Sequence, residues 1–246
     1  MTKKEEPELI DFYNVIDKSL LKKYHNPNYE KHKITVPFYS ILAGGTGAGK
    51  TQTLMNIIKK MSGTFEKLIL CVKSIDEPLY KHLLLKIPKS QVEVYENGVI
   101  PDVDKYKDCQ EQMMIVFDDL VNMKNQQPII EWYIRGRKIA GGCSMIYLTQ
   151  SWFKTPKDIR IQCNHIFLKR LTSLRDLTMV ISDYGLGAMK NDIIREYKKI
   201  TNESKVPFML IRTDAEPEER FSKNFLSFLK IDDGFGTTEK KTIEDK

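Results

Sequence analysis

One short motif constrains the fold of this chain more than any other feature. The run Gly44–Thr51, GGTGAGKT, matches the pattern G-x-x-x-x-G-K-[ST], and it lies between an apolar run, Val36–Ala43, and a helical pattern, Lys50–Met61. Glycine permits backbone torsion angles that a Cβ atom forbids, and it lets backbone N–H groups come close to an anion. The N-terminus of the following helix adds free N–H donors. The sequence therefore predicts a phosphate-binding loop between a buried strand and a helix.

The positions within this motif predict particular contacts with a nucleoside triphosphate. We expect the Lys50 ammonium on the β- and γ-phosphates and the Thr51 hydroxyl as a ligand of Mg²⁺. A glycine-rich turn that binds nothing is the alternative, and the strand and helix on either side of the motif disfavour it. The predicted nucleotide-binding residues are Gly44, Gly45, Thr46, Gly47, Ala48, Gly49, Lys50 and Thr51.

From Val36 onward, short apolar runs alternate with helical patterns. The predicted strands are Val36–Ala43, Lys67–Val72, Val92–Tyr95, Met113–Phe117, Ser144–Thr149, His165–Lys169 and Val206–Arg212. The predicted helices are Lys50–Met61, Glu77–Ile87, Pro128–Ile139, Pro156–Cys163, Ser173–Ser182 and Ala188–Thr201. Strands that are apolar throughout and separated by helices indicate a parallel sheet covered on both faces. The sequence therefore predicts an α/β fold of the P-loop NTPase type, with a mostly parallel sheet and helices on both faces.

The pattern divides the chain into a core with attached segments. Residues 1–33 are expected to form a polar N-terminal arm, partly helical from Leu9 to Leu21. The core is predicted over residues 34–214, followed by a C-terminal segment, 215–231, that docks on it as a helix. Residues 232–246 are expected to be a flexible tail because they mix glycine, threonine and alternating charges. A chain of 246 residues, 41% of them hydrophobic, can bury a sizeable core without covalent staples.

The composition excludes several classes of protein. The longest apolar runs, such as Met113–Phe117, are far shorter than the ~20 residues needed to span a bilayer. The charged start has no apolar stretch typical of a secretory signal. The four cysteines never form Cys-x-x-Cys, which favours buried thiols in a reducing compartment over disulfides or a zinc site. We therefore expect a soluble protein that is not secreted and does not span a membrane.

Polar side chains follow two other predicted strands. Asp118 and Asp119 come directly after Met113–Phe117, and Gln150 follows Ser144–Thr149. We expect Asp118 to be the partner of Mg²⁺ and Asp119 to be the general base for an attacking water. The alternative is that the two aspartates only cap a helix. Gln150 is expected to contact the γ-phosphate and the water, with an ordinary strand-end amide as its alternative.

The positive charge is concentrated in one part of the chain. The net charge is +6, and the segment from Tyr133 to Arg175 holds nine lysines and arginines against one acidic residue. A region of one sign fits a polyanion such as nucleic acid, and a solvated surface whose charges are paired in space is the alternative. Charge that develops on a leaving phosphate is often met by an arginine, in cis or from a neighbouring subunit. Arg135 is the preferred candidate for this role and Arg137 the second.

These residues carry a resemblance to a known family. The chain resembles the genome-packaging ATPases of nucleocytoplasmic large DNA viruses and virophages, a branch of the FtsK/HerA-type DNA-pumping ATPases. The resemblance covers about residues 36–212, and its most specific part is the block from Arg135 to Arg160, RGRKIAGGCSMIYLTQSWFKTPKDIR. The other parts are Gly44–Thr51 and the strand that ends in Phe117-Asp118-Asp119.

The resemblance implies a RecA/FtsK-like core that uses ATP and Mg²⁺. It implies a ring of identical subunits, expected to be a hexamer, that threads double-stranded DNA into a preformed capsid. Capsid or portal-vertex proteins would be its partners, in the virion or in the viral factory of the host cytoplasm. It implies Lys50 and Thr51 for nucleotide and metal, Asp118 for metal, Asp119 as base, Gln150 as γ-phosphate sensor, and an arginine acting in trans. Asp119 departs from the Glu common in the wider group.

The segment that follows Gln150 is expected to join the nucleotide to DNA. If residues 151–160 line the pore of a ring, the cations Lys154, Lys157 and Arg160 would contact DNA phosphates without regard to sequence. Two other functions remain open at this point. One is a nucleotide-gated oligomeric scaffold at the capsid that does not move DNA, and the other is a small-molecule kinase.

Overall fold

The computed structural model describes residues 9–231 of the chain, and its centre is a nine-stranded sheet. The strands are β1 Tyr39–Ala43, β2 Lys67–Val72, β3 Val92–Tyr95, β4 Met113–Asp118, β5 Cys143–Thr149, β6 His165–Leu168, β7 Met209–Arg212, β8 Phe221–Lys223 and β9 Ser227–Phe228. Their order across the sheet is β3-β2-β4-β5-β1-β6-β7-β8-β9. The pairings from β3 to β6 are all parallel, and those from β6 to β9 are antiparallel. The mostly parallel sheet predicted from the apolar runs is confirmed.

Helices cover both faces of this sheet. The helices of the described residues are α1 Phe12–Val15, α2 Lys50–Lys60, α3 Pro78–Leu84, α4 Gln127–Arg135, α5 Lys157–Arg160, α6 Leu174–Asp183 and α7 Lys190–Glu203, and all but α1 bury side chains. Side chains of α2 and α3 pack on one face, in a core that includes Leu42 and Val116. Side chains of α4, α6 and α7 pack on the other face, in a core that includes Ile41 and Ile115. Because neighbouring residues of a strand point to opposite faces, a sheet covered on both sides needs strands that are apolar at every position.

The predicted C-terminal helix is wrong. Residues 221–223 and 227–228 form strands β8 and β9, which continue the sheet beyond β7. The apolar spacing of Phe221, Phe225 and Phe228 suits a helix as well as a hairpin, and the turn between the strands decides between them. Asn224 has a φ of 54°, in the left-handed region, and its carboxamide oxygen accepts from the Phe208 N–H at 3.2 Å. The free edge of β7 is therefore covered by a hairpin.

Arg212, at the end of β7, is a buried cation that joins the last part of the N-terminal arm to the C-terminal hairpin. Its guanidinium donates to Ser222 Oγ and to the carbonyl of Phe225, both in the C-terminal hairpin. It also donates to the carbonyls of His32 and Lys33, in the last part of the N-terminal arm. Burial lowers the pKa of Arg212 to about 10, so the side chain stays charged at neutral pH. One buried cation thus uses carbonyls from segments that are far apart in sequence.

The first described residues lie on the outside of the molecule. The predicted partial helix is present as α1 and a 3-10 turn, Lys18–Leu20, and most of the apolar side chains of this stretch are exposed. The arm meets the body further on, where the Gln112 side chain accepts from the His25 N–H at 2.9 Å and donates to the His25 carbonyl at 2.8 Å. The tail predicted over residues 232–246 lies outside the described residues.

All four cysteines are free thiols, as the sequence predicts, and three of them are buried. Among residues 9–231, the helices are too short or too polar to pass through a bilayer.

Two buried histidines should make stability depend on pH. Burial lowers the pKa of His165 to about 3, with the charge of Arg212 as a second cause, and that of His32 to about 4. His32 Nδ1 accepts from the Ile34 N–H at 3.0 Å, a role that only the neutral ring can fill. Below pH 6.5 the unfolded chain therefore binds protons at these two histidines that the folded chain excludes. The unfolding free energy is unaffected by them above this pH and decreases as the pH falls below it.

We expect the unfolding free energy to fall by about 2 kcal/mol between pH 6.5 and pH 5 through His165 alone. Urea denaturation followed across this range should show a flatter profile for His165→Asn than for the unchanged chain. His82→Asn, at an exposed position on α3, is the control and should keep the original slope. An equal slope in the two variants would contradict the assignment to His165.

Candidate nucleotide site

The candidate site lies at the edge of the sheet where the parallel strands end. Strands β4, β5 and β1 are neighbours, and their register places Asp118 beside Leu148 and Ala43 beside Thr149. The glycine-rich loop begins directly after Ala43, and Gln150 begins the loop after β5. The carboxyl edge of an open parallel sheet is where such folds bind ligands. The register therefore brings the predicted loop, the acidic pair and Gln150 to one place.

Close packing explains the glycines at the two ends of the loop. Gly49, the N-cap of α2, has a φ of 83°, and a Cβ atom there would lie 2.8 Å from the Lys205 carbonyl. A Cβ atom on Gly44 would lie 2.6 Å from the Cβ of Lys169. The Gly45 N–H donates to the Arg170 carbonyl at 2.8 Å, which ties the loop to the end of β6. Larger residues in place of Gly44 or Gly49 would displace the loop from the ends of the strands.

Lys50 lies over the loop that precedes it. Its ammonium donates to the carbonyls of Gly44 at 3.0 Å and Gly45 at 3.3 Å. Burial lowers the pKa of Lys50, and the carboxylates of Asp118, Asp119 and Glu77 oppose this shift. The two hydrogen bonds of this ammonium go to neutral carbonyls, which phosphate oxygens, as charged acceptors, can replace with stronger hydrogen bonds.

The Asp118 carboxylate is buried and oriented. Its Oδ2 accepts from the Tyr80 hydroxyl at 2.6 Å, and its side chain is almost inaccessible to solvent. Burial raises the pKa of Asp118, whereas the Tyr80 hydrogen bond and the Lys50 charge lower it. The second predicted metal ligand has a similar contact, because the Thr51 hydroxyl donates to Glu77 Oε2 at 3.1 Å. Two residues of the first turn of α3 thus contact the predicted metal ligands.

Gln150 connects the loop to the second acidic residue. Its Nε2 donates to Asp119 Oδ1 at 3.2 Å, and its Oε1 accepts from the Thr46 hydroxyl at 3.2 Å. Asp119 is exposed and has a φ of 57°, an uncommon value for a residue with a side chain. This backbone conformation turns the chain directly after β4, so that Asp119 faces Gln150 while Asp118 stays in the core.

The oxygen donors of the site fit Mg²⁺. Magnesium keeps several waters and binds proteins through one or two side chains together with phosphates. Within residues 9–231 no group of three or more His, Cys, Asp or Glu side chains could hold a metal ion. A hydroxyl from Thr51 and a carboxylate from Asp118 suit a cation that is shared with a phosphate chain.

A cleft of about 650 Å³ opens beside the loop. One wall is formed by Thr46 to Ala48, and the other by Arg170 to Thr172 together with Asn202, Ser204 and Lys205. Lys169 holds the second wall, because its buried ammonium donates to the carbonyls of Lys205 at 2.6 Å, Val206 at 2.8 Å and Pro207 at 3.0 Å. Burial lowers the pKa of Lys169 to about 8.

The two candidate arginines lie at the amino ends of the parallel strands, opposite the carboxyl ends where the candidate site lies. The guanidinium of Arg137 is 5.2 Å from the ring centre of Tyr39, the first residue of β1, whereas the loop follows the last residue. Arg135 ends α4 and pairs with Asp104 and, at 3.9 Å, with Glu131. A five-residue strand separates the edges by about 13 Å. Neither arginine therefore contacts the candidate site.

The three candidate DNA contacts differ in exposure. Lys154 and Lys157 are exposed, and Lys154 Nζ lies 3.4 Å from Asn122 Oδ1. Arg160 is only 8% exposed, pairs with Asp183 and faces the buried ring of Trp152. This geometry corrects the expectation for Arg160, which holds α5 against α6 and does not face solvent.

Sequence reasoning missed Glu77, Tyr80 and Lys169 as parts of the site. In the sequence Lys169 belongs to the basic segment and ends a predicted strand, and Glu77 and Tyr80 belong to a helical pattern. Their partners, Thr51, Asp118 and the loop after α7, are 26 to 38 residues away in sequence. A polar residue at the end of an apolar strand is a usable signal for Lys169, but nothing local to Glu77 or Tyr80 distinguishes them.

Solved structures with similar folds include a viral genome packaging NTPase. The genome packaging NTPase B204 from Sulfolobus turreted icosahedral virus 2, in complex with AMP, is 14% identical with a TM-score of 0.50, over 74% of this chain and 95% of that chain. The same protein in complex with ATP-gammaS is 13% identical with a TM-score of 0.50, over 78% and 98%. The cytoplasmic domain of the type VII secretion ATPase EccC from Thermomonospora curvata is 11% identical with a TM-score of 0.50, over 80% and 26%. These likenesses confirm the predicted P-loop NTPase fold.

Among curated proteins, none matches the chain. The model of the family described as Poxvirus A32 protein matches residues 26–215, which include the loop, the acidic pair, Gln150 and every wall of the cleft. The match covers most of the chain and confirms the viral resemblance predicted from the motifs. The chain belongs to the Poxvirus A32 protein family.

Proposed function

We propose that this protein is an ATP-hydrolysing motor that moves double-stranded DNA during the packaging of a viral genome. The observation that carries the proposal is the hydrogen-bonded connection from Thr46 through Gln150 to Asp119, which joins the glycine-rich loop to the acidic pair and to the basic segment. Family membership supports it, and so does the likeness of the fold to a packaging NTPase solved with AMP and with ATP-gammaS.

The nucleotide would lie along the carboxyl edge of the sheet. Its phosphates would occupy the loop, where Lys50 exchanges carbonyl partners for phosphate oxygens. Its nucleoside would enter the cleft between Thr46–Ala48 and Asn202–Lys205, which has room for a base and a ribose. When bound between Thr51, Asp118 and the phosphates, Mg²⁺ would neutralise charge that develops on the phosphate oxygens.

Hydrolysis requires a base and a group that orients water. Asp119 is exposed at the mouth of the site and can accept a proton from a water that attacks the γ-phosphate. The Gln150 carboxamide can donate to one partner and accept from another, so it can hold that water between Asp119 and the loop. Since an Asp reaches one methylene less far than a Glu, Gln150 would bring the water to it.

The same residues can pass the state of the nucleotide to the basic segment. The turn after Gln150 is tightly bonded, because Thr149 Oγ1 accepts from the Thr155 hydroxyl at 3.1 Å and from the Ser151 N–H at 3.2 Å. Asp176 accepts from the Phe153 N–H at 3.1 Å, which ties this turn to the start of α6. A shift of Gln150 on loss of the γ-phosphate would therefore move Lys154 as part of one unit.

The exposed side of this turn fits a polyanion. Lys154 and Lys157 are exposed, and the Arg175 guanidinium lies 4.1 Å from the ring centre of the half-exposed Phe153. In a ring of identical subunits, a hexamer in this proposal, these turns would face the central pore and contact DNA phosphates. Capsid or portal-vertex proteins would hold the ring at the virion, and assembly would take place in the viral factory of the host cytoplasm.

The first test concerns nucleotide binding. Lys50→Ala removes the ammonium from the loop and should weaken ATP binding in the presence of Mg²⁺ by about 2 kcal/mol or more, roughly 30-fold, with no loss of fold. Isothermal titration calorimetry measures the affinity. Lys59→Ala, at an exposed position in the last turn of the same helix, is the matched control and should bind as the unchanged chain does. Undiminished binding by Lys50→Ala would remove the loop from the site.

The second test concerns DNA. Double-stranded DNA should stimulate ATP hydrolysis, and DNA affinity should fall steeply with salt. The double substitution Lys154→Ala and Lys157→Ala should reduce the slope of log affinity against log salt by about 2, since each phosphate contact contributes about 0.9. The control is Lys86→Ala with Lys89→Ala, two exposed lysines beside α3. An ATPase indifferent to DNA would favour a nucleotide-gated scaffold, and phosphate transferred to a metabolite would favour a kinase.

The third test concerns the arginine at the far edge of the sheet. If Arg135 reaches the site of a neighbouring subunit, Arg135→Ala should lower the ATPase rate of the assembled protein by about 10³-fold. Adding the Lys50→Ala variant should restore part of the rate, because it supplies an intact Arg135 to subunits with an intact loop. Arg195→Ala, an exposed arginine on α7, should have no effect. Absence of recovery at every mixing ratio would exclude the trans role of Arg135.

A further inference from the structure

The first turn of α3 lies against the candidate nucleotide site, although no motif points to it. Strand β2 pairs with β4, and their register places Val72, the last residue of β2, beside Asp118. The chain leaves β2 at the same edge as the loop and the acidic pair, and it enters α3 at Pro78. Glu77, the N-cap of this helix, therefore starts α3 next to the site.

Glu77 contacts the residue that the motif assigns to the metal. Its Oε2 accepts from the Thr51 hydroxyl at 3.1 Å. A threonine hydroxyl has one hydrogen, so an oxygen that binds a cation must donate that hydrogen elsewhere. Glu77 accepts this hydrogen and leaves a lone pair of Thr51 free to bind. The Glu77 carboxylate also adds a negative charge beside the predicted site of a divalent cation.

Tyr80 orients the other predicted metal ligand, Asp118, through a hydrogen bond. Its hydroxyl donates to Asp118 Oδ2 at 2.6 Å, and its ring is 1% exposed. Tyr80 follows Glu77 by three residues, a spacing that places two side chains on the same side of a helical turn. One turn of helix therefore holds both predicted ligands, Thr51 through Glu77 and Asp118 through Tyr80.

The surrounding contacts hold this turn in place. The Ile75 N–H donates to Glu96 Oε1 at 2.8 Å, which fixes the loop before the helix. The Tyr80 N–H donates to the Glu77 carbonyl at 3.0 Å, and Pro78 occupies the first helical position, where its restricted φ suits a helix. Leu83 continues the buried face one turn later. The position of Glu77 is thus set by contacts on both sides of it, at Ile75 and at Tyr80.

We propose that Glu77 and Tyr80 are positioning residues for Mg²⁺-dependent nucleotide binding, acting through the Thr51 hydroxyl and the Asp118 carboxylate. This inference rests on the proposed function, since it concerns the same site. Side chains that hydrogen-bond to metal ligands set the orientation and charge of those ligands, and their loss costs metal affinity without removing a ligand.

The test separates binding of the metal from binding of the nucleotide. ATP affinity is measured by calorimetry in EDTA and across a Mg²⁺ series, for the unchanged chain, Glu77→Gln, Tyr80→Phe and the control Asp76→Asn. Asp76 is the neighbouring carboxylate, exposed and paired with Lys81 at 3.0 Å. The Mg²⁺ concentration that gives half of the metal-dependent gain in affinity should rise by about 10- to 100-fold in Glu77→Gln and Tyr80→Phe. It should stay within about twofold in Asp76→Asn, and affinity in EDTA should be the same in all four proteins.

The outcomes are distinguishable. An unchanged Mg²⁺ requirement in Glu77→Gln, or a requirement raised equally in Asp76→Asn, would overturn the positioning role and leave the proposed function standing. A Glu77→Gln protein that binds ATP less well in EDTA and melts at a lower temperature would show a structural role and would also overturn the inference. If the unchanged chain bound no ATP at any Mg²⁺ concentration, the proposed function would fail together with it.

Discussion

The parallel register of β4, β5 and β1 is the constraint on which the rest of the structure depends. Hydrogen bonds along these strands place Asp118, Thr149 and Ala43 at one edge of the sheet, so three segments that are distant in sequence meet there. A slip of one residue in any strand would turn its buried side chains toward the opposite helical layer. Packing against helices on both faces therefore preserves the geometry of the site as well as the stability of the core.

The fold was predictable because its main signals are local. Most of the parallel strands are apolar runs that need no partner to be recognised, and β2 and β3 begin and end where the pattern places them. The glycine-rich loop carries its own local signal, since Gly49 adopts a left-handed backbone that glycine permits. The C-terminal hairpin was not predictable in this way. Its apolar spacing also fits a helix, and the deciding contacts come from Arg212 and Phe208, which lie outside the segment.

The site was predictable where residue type and strand position coincide, and not where long-range pairing decides. Asp118 ends a strand, and Asp119 and Gln150 directly follow strands, so their place at the carboxyl ends of the strands is predictable from the pattern. Arg160 is expected on the surface from its sequence, but it is buried in the structure because it pairs with Asp183 and packs on Trp152. Glu77 and Tyr80 gain their importance from Thr51 and Asp118, which reach them through the pairing of β2 with β4.

The buried guanidinium of Arg212 has a consequence for where this chain can be divided. Two of its acceptors are the carbonyls of His32 and Lys33, just before the segment that leads into β1. A truncation that began at Ile34 would leave a desolvated cation short of partners and would loosen the hairpin that shares it. The last residues of the arm thus belong energetically to the antiparallel margin of the sheet, and a minimal fragment of this protein must start ahead of them.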